Sequence, residues 1–307
     1  MALREIDTGG NKMISPETRN ADIVNTGGGP VLTPRDSADL ADLVRHAAAA
    51  GTTLRIRGAG TWLDAGNPVN AATTVDLASL SGIVEYVPGD LTLTAGAATP
   101  LSAIAAATAP HRQWLALDPF GSDLGTLGAT VATASAGPLA SSIGLSRDLA
   151  LGLELITGSG DCVRAGGRVV KNVAGYDLVR LNIGAWGTLG VLTQIRLRLR
   201  GIPECDETVA LSSHSTTDLG ARWRALRLSA LSPLALEELN NSAARAVGLL
   251  GACTLVRVSG NEDQVAGQLA LLQSLGTVAN VSTNVWHKLR QLEPAGSTTI
   301  RLPSYPL

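Results

Sequence analysis

The chain is poor in the residues that build metal and redox centres. It has three cysteines among 307 residues, Cys162, Cys205 and Cys253, and their separation excludes a C-x-x-C motif, an iron–sulfur cluster and a disulfide framework. Its four histidines, His46, His111, His214 and His287, are as scattered, and no metal site is expected from them. Excess charge is missing too. A net charge of −2, with 24 basic residues spread along the chain, supplies no concentrated positive field for nucleic acid or an anionic membrane. No apolar run is long enough for a signal peptide or a membrane span, because Gly, Pro or charge interrupts each one. The expected location is the cytoplasm.

What the chain does have is 45% apolar content, enough to bury a core in two or three lobes. Residues 1–30 are polar, end in Gly27-Gly28-Gly29-Pro30 and are expected to be a flexible leader. Leu40, Leu43, Val44 and Ala47 then recur at helical spacing between a capping Asp36 or Ser37 and a terminating Gly51. Strands follow at 53–57 and 74–77, and a hairpin is expected from 83–87 and 91–95 around Pro88-Gly89-Asp90. Thr99-Pro100 reads as a cap and first-turn proline ahead of a helix over 101–109. A second hairpin is expected at 151–156 and 162–164. In 191–200, Ile195, Leu197 and Leu199 alternate with Arg196, Arg198 and Arg200, which predicts a strand with one buried and one wet face. Past Pro203 the pattern predicts a separate α+β lobe: strands near 208–211, 236–239 and 254–258, a helix carrying Leu219, Trp223 and Leu226, a helix from the Asn261 cap to Gly276, and a last strand at 299–302. That lobe looks shorter than its own pattern promises.

Three glycine-rich stretches interrupt these elements. Arg57-Gly58-Ala59-Gly60 follows a strand, but the sixth position of G-x-G-x-x-G is Leu63, and Gly66-Asn67-Pro68 prevents a following helix, so the Rossmann reading fails. What remains is either a plain loop or a tight turn whose backbone N–H groups cradle phosphates, helped by the Arg57 charge and the Thr61 hydroxyl. Residues 121–137 are almost devoid of large side chains, which suits either close approach of a ligand or tight packing against a sheet. The third stretch, 167–177 with 184–191, adds fixed polar groups to the same small-residue character. Three such loops in one chain point to one large ligand.

At these loops the sequence resembles the FAD-binding fold of vanillyl-alcohol oxidase and para-cresol methylhydroxylase and, within it, the smaller flavoprotein subunits of bacterial glycolate oxidases. GRVVKNVAGYDLVRLNIGAWGTLGVLT at 167–193 carries the resemblance most specifically; RIRGAGT at 55–61 and GTLGATVATASAGP at 125–138 occur in the expected order. The resemblance implies an α+β fold with a leader over 1–30, FAD-binding subdomains over 31–80 and 81–203 that clasp the flavin, and a cap lobe, truncated or reduced, over 204–307. It assigns the FAD pyrophosphate to Arg57, Gly58, Ala59, Gly60, Thr61 and Trp62, and the adenosine and ribityl parts to Gly121, Gly125, Thr126, Gly128, Ala129, Ala132 and Gly137. The isoalloxazine edge falls to Lys171, Asn172, Val173, Gly175, Tyr176, Gly187, Thr188, Leu189, Gly190 and Val191. The first loop has no histidine, so FAD is expected to be held non-covalently. Lys171 is either a cation that stabilises the anionic reduced flavin or an exposed loop lysine. Trp186 departs from the pattern, since relatives carry a smaller or polar residue there.

The resemblance implies an FAD-dependent oxidoreductase subunit that oxidises glycolate or another 2-hydroxy acid. It acts with a larger homologous flavoprotein subunit and an iron–sulfur subunit, and meets the membrane only through partners. No catalytic base is legible, because no His-plus-Arg pair stands out in the cap lobe. Two alternatives follow: a non-catalytic assembly or electron-relay subunit with a retained flavin cleft, and a self-standing FAD-dependent alcohol oxidase.

Overall fold

The structure, a computed structural model, describes residues 29–63, 65, 70–167, 176–212 and 223–292. The leader up to residue 28, the strand expected at 299–302 and the Leu219 end of the expected helix lie outside these residues, while 223–228 are helical with Leu226 buried.

The N-terminal unit is a parallel sheet of β1 (Val31–Leu32), β2 (Leu54–Arg57) and β3 (Thr73–Asp76) in the order β1-β3-β2. Helix α1 (Ser37–Ala50) makes the crossover from β1, burying Leu40, Ala41, Val44 and Ala47 as its spacing predicts. Asp36 caps it by accepting the Asp39 N–H at 2.9 Å, and Gly51 ends it at φ 66°, donating to the last carbonyls. The crossover from β2 to β3 carries the first glycine turn.

The central unit is an antiparallel sheet in the order β4-β5-β9-β7-β8, from β4 (Ile83–Val87), β5 (Thr92–Gly96), β7 (Ala150–Thr157), β8 (Cys162–Gly166) and β9 (Gly190–Arg198). Helix α2 (Leu101–Thr108) and α3 (Leu127–Thr133) contribute Ile104, Leu127 and Val131 to a core with Leu93, Leu153, Leu155, Ile195 and Leu197. Strand β6 (Gln113–Trp114) pairs with β10 (Arg200–Gly201) beside this sheet. Thr99 does not cap α2. Its hydroxyl instead exchanges hydrogen bonds with the Gly82 backbone, and Pro100 occupies the cap position. Arg196 is less wet than the alternation predicts, because its guanidinium reaches back over β5 to Thr94 Oγ1 and Glu85 Oε2, each at 3.0 Å.

Glu154 ties the two sheets together. Its buried carboxylate accepts from Ser37 of α1 at 3.0 Å, from Thr193 at 2.8 Å and from Arg164 at 2.7 Å. Burial pushes this carboxyl up, but those three donors outweigh it and hold the group below the usual range.

The C-terminal unit is an antiparallel sheet in the order β12-β13-β11-β14, built from β11 (Cys205–Ser212), β12 (Ala235–Leu239), β13 (Cys253–Gly260) and β14 (Val278–Val281). The long helix Glu262–Leu275 starts at a reciprocal capping box between Asn261 and Gln264 and covers one face through Val265 and Leu272. The helix Asn284–Arg290 covers the other with Val285, Trp286 and Leu289. Leu139 of the central unit is buried in that second core. Among the described residues no helix is long and apolar enough to cross a membrane.

Candidate cofactor site

A cavity of about 430 Å³ opens between the N-terminal and central units, within the usual range of small-molecule sites. Three chain segments line it. The turn after β2 contributes Arg57, Gly58, Gly60, Thr61 and Trp62; helix α3 contributes Thr126, Gly128, Ala129 and Ala132; the turn before and start of β9 contribute Gly187, Thr188, Gly190 and Val191. Residues from all three glycine stretches therefore meet around one space.

The turn after β2 has a specific chemistry. The backbone N–H groups of Gly58, Ala59, Gly60, Thr61 and Trp62 have no hydrogen-bond acceptor among the described residues. Gly60 sits at φ 80°, a left-handed turn position that glycine adopts freely. Successive amides without acceptors among the described residues suit an anion such as a phosphate. The Arg57 guanidinium adds less than its position promises, because Asp76 already holds it at 2.5 Å and 3.1 Å.

Several expected residues lie elsewhere. Gly121, Gly125 and Gly137 do not line the cavity. Gly121 donates its N–H to the Arg290 carbonyl at 2.9 Å, and a Cβ at Gly137 would stand 2.0 Å from the Asp118 carbonyl oxygen. At Gly137 small size serves contact between chain segments, whereas Gly121 is set by its backbone at φ 103° with open space where a Cβ would be. Even Gly128, which does line the cavity, is required by packing, since a Cβ there would lie 2.8 Å from the Ala97 carbonyl oxygen. Ala59 and Leu189 are also outside the lining, and Tyr176 is 95% exposed. Lys171, Asn172, Val173 and Gly175 fall outside the described residues.

The lining also includes residues that sequence reasoning does not assign to the site, Leu54, Arg55, Ile56, Leu63, Leu77, Ala97 and Leu192, together with Thr133 from the second stretch and Trp186, which it notes only as a departure from the pattern. For the β2 residues a signal existed, since the strand leads straight into the turn. Trp62 and Trp186 come together edge to face, with ring centroids 5.8 Å apart and planes at 89°. Nearby, Ser135 Oγ is buried without a hydrogen-bond partner, a costly arrangement for a hydroxyl. Among the described residues no cluster of His, Cys, Asp and Glu is arranged to hold a metal ion. A small-walled cavity with a row of free amides at one end fits a dinucleotide flavin.

The comparisons agree with that geometry. Residues 30–166 match the family model described as FAD binding domain. The chain is 42% identical over 165 residues to glycolate oxidase subunit GlcE of Escherichia coli (strain K12), a match covering 53% of this chain and 47% of that protein. It is 28% identical over 193 residues to glycolate oxidase subunit GlcD of Bacillus subtilis (strain 168), covering 62% of this chain and 41% of that one. The chain thus spans less than half the length of these two relatives. Among solved structures, p-cresol methylhydroxylase with substrate bound matches with a TM-score of 0.68 at 13% identity, over 86% of this chain and 61% of that one. Alkyldihydroxyacetonephosphate synthase matches with a TM-score of 0.69 at 14% identity, over 85% and 53%. Likeness at these identities establishes the fold, which the chain shares with p-cresol methylhydroxylase, and the match of residues 30–166 to an FAD binding domain supports FAD as the cofactor.

Proposed function

We propose that the chain is the FAD-carrying subunit of a cytoplasmic complex that oxidises glycolate or a related 2-hydroxy acid and passes the electrons to an iron–sulfur partner. The observation that carries this reading is the convergence of three glycine-rich segments on one cavity, beside a turn whose amides have no acceptor among the described residues. The names of its relatives, two of them glycolate oxidase subunits and others D-lactate and D-2-hydroxyglutarate dehydrogenases, support the substrate class. We assign residues 31–80 and 81–203 as the FAD-binding subdomains and 204–307 as the cap.

Bound FAD supplies a two-electron acceptor for hydride from the alcohol carbon. The amides of Gly58 to Trp62 hold the pyrophosphate. Small residues on α3, namely Gly128, Ala129 and Ala132, let the cofactor approach the backbone, and Val191 and Leu192 keep water from the inner wall. The described lining contains no His, Cys or Tyr through which a flavin would be covalently attached, which supports non-covalent binding. Lys171 is assigned from the motif alone to the developing negative charge of the reduced flavin.

A specific observation favours a second reading. Arg55 and Arg57 are the only charged groups in the described lining, with no carboxylate or imidazole to take the hydroxyl proton. An assembly or electron-relay subunit would need no base. The deciding experiment is the visible spectrum of the purified chain, of its supernatant after denaturation, and of the chain after anaerobic addition of glycolate. Flavin absorbance that moves to the supernatant and is bleached by glycolate supports the dehydrogenase. Flavin that glycolate does not bleach supports the relay subunit, and a chain that takes up no FAD sinks both.

A further inference from the structure

Trp186 combines three features that are seldom found together. Its backbone lies at φ 55°, the left-handed region, which strains a bulky L-residue and which glycine occupies freely. Its side chain is 50% exposed although it is large and apolar. And it lines the cofactor cavity while making an edge-to-face contact with Trp62. The left-handed turn is pinned, since Trp186 donates its N–H to the Ala132 carbonyl at 2.9 Å and Gly184 donates to Val131 at 3.1 Å. Both acceptors belong to α3, so the indole has a fixed base on the central unit. Trp62 stands on the other side, at the end of the amide turn that follows β2 of the N-terminal unit.

We propose that Trp62 and Trp186 form an aromatic latch that joins the two units across the cavity and controls how fast FAD leaves. This rests on the function proposed above only in so far as FAD occupies the cavity. The two rings come from separate parts of the fold, and the perpendicular arrangement is a favoured aromatic geometry whose attraction adds to the area it buries. A ligand that fills the space between the units cannot leave through this side until the rings part. The contact therefore acts on release, while the amide turn acts on capture. Strain at Trp186 is the counterpart of that role, because glycine there would relax the turn and remove the latch together.

The test is stopped-flow release of FAD from the full chain into excess apoflavodoxin or another flavin trap, with thermal melting of the apoprotein measured in parallel. Trp186→Gly and Trp62→Leu should each speed release about fivefold, the order expected for loss of one aromatic pair. The double variant should be no faster than either single one, since both remove the same contact. Trp62→Phe, which retains an edge-to-face partner, should stay close to the wild-type rate. Trp186→Gly should melt no lower than the parent, because relief of backbone strain offsets the lost contact; a merely structural tryptophan would instead lower the melting temperature and leave release unchanged. Release within about twofold of wild type in both single variants, or accelerations that multiply in the double variant, overturns the latch alone. A wild-type chain that takes up no FAD overturns the proposed function and the latch with it.

Discussion

The cofactor cavity and the seam between the central and C-terminal units are built from opposite materials. Around the cavity the chain offers backbone amides, small residues and apolar walls, and of its two charged lining residues Arg57 is neutralised by Asp76. At the seam, side-chain charge and hydrogen bonds surround the apolar contact made by Leu139. Arg290 donates to the Pro119 carbonyl at 3.1 Å, Gln291 donates to Asp123 at 2.8 Å, and His287 stands 3.2 Å from the same carboxylate. Beside them Asp118 is half-buried, accepting the Leu139 N–H at 3.1 Å. A site that must take in a large dianionic ligand is left open in its backbone hydrogen bonding. A permanent seam is closed, and it keeps a titratable group as a by-product.

The largest effect expected from this contrast is a pH dependence located at the seam. Burial raises the Asp118 carboxyl from 3.8 to about 6, against the opposing pull of its backbone donors and of Arg290 and Arg257. A carboxyl whose pKa is raised on folding favours the folded state while protonated. Its contribution is full below the unfolded value and is lost as pH rises through the folded one. From well below pH 4 to well above pH 6 the fold should lose about 3 kcal/mol through this group, at 1.36 kcal/mol per unit, and about 2 kcal/mol of that falls between pH 4.5 and 7.5. Denaturant melts at pH 4.5 and 7.5 should show that loss in the parent and not in Asp118→Asn; parallel profiles would remove Asp118 from the account. FAD affinity should be the same in both, since the residue does not line the cavity.

A pair of glycine substitutions sharpens the comparison at somewhat smaller size. Gly128→Ala sets a methyl 2.8 Å from both the Cβ and the carbonyl oxygen of Ala97, so α3 must move off the sheet edge. Overpacking of this kind costs about 2 kcal/mol. Because Gly128 also lines the cavity, FAD affinity should fall with stability. Gly137→Ala meets the Asp118 carbonyl at 2.0 Å and should destabilise as much or more, yet leave FAD binding in place once the chain is folded. Equal loss of FAD in the two variants, by equilibrium titration, would mean that cavity and seam are not separable.

Much of this fold is legible locally. The amphipathic period of α1, its Asp36 and Gly51 caps, and the Asn261–Gln264 box are all written within one element and appear as read. The alternation in β9 is equally plain, although the pairing of Arg196 with Glu85 is not, because the partner lies two strands away. Helix α3 was hidden. Its sequence, LGATVAT, has few large residues, and it becomes a helix because Thr126 caps it and Gly128 lets it dock on Ala97. The helix Asn284–Arg290 left a trace in the spacing of Val285, Trp286 and Leu289, which the sequence reading did not use. At the site, glycine content gave the three segments but not which side of each glycine is occupied. Gly121 and Gly137 look like Gly128 in sequence, and only tertiary contact separates seam from cavity. The Trp62–Trp186 pair was invisible for the same reason.

The smallest expected effect tests how the two units share one residue. Thr126 Oγ1 accepts the Ala129 N–H at 3.3 Å as the cap of α3, and a Cβ at Gly58 would lie 2.8 Å from the same oxygen, so the amide turn rests on the cap. Thr126→Ala removes the acceptor and should cost about 1 kcal/mol, as other cap deletions do. Thr126→Ser keeps the oxygen and should retain most of that stability. If the turn depends on the cap oxygen for its position, FAD affinity should drop a few-fold in the alanine variant and stay near the parent value in the serine variant. If the threonine methyl is what supports Gly58, both variants should lose affinity alike while only the alanine variant loses stability. Calorimetric titration with FAD alongside thermal melts separates the two, because the hydroxyl and the methyl of one side chain then report on different halves of the site.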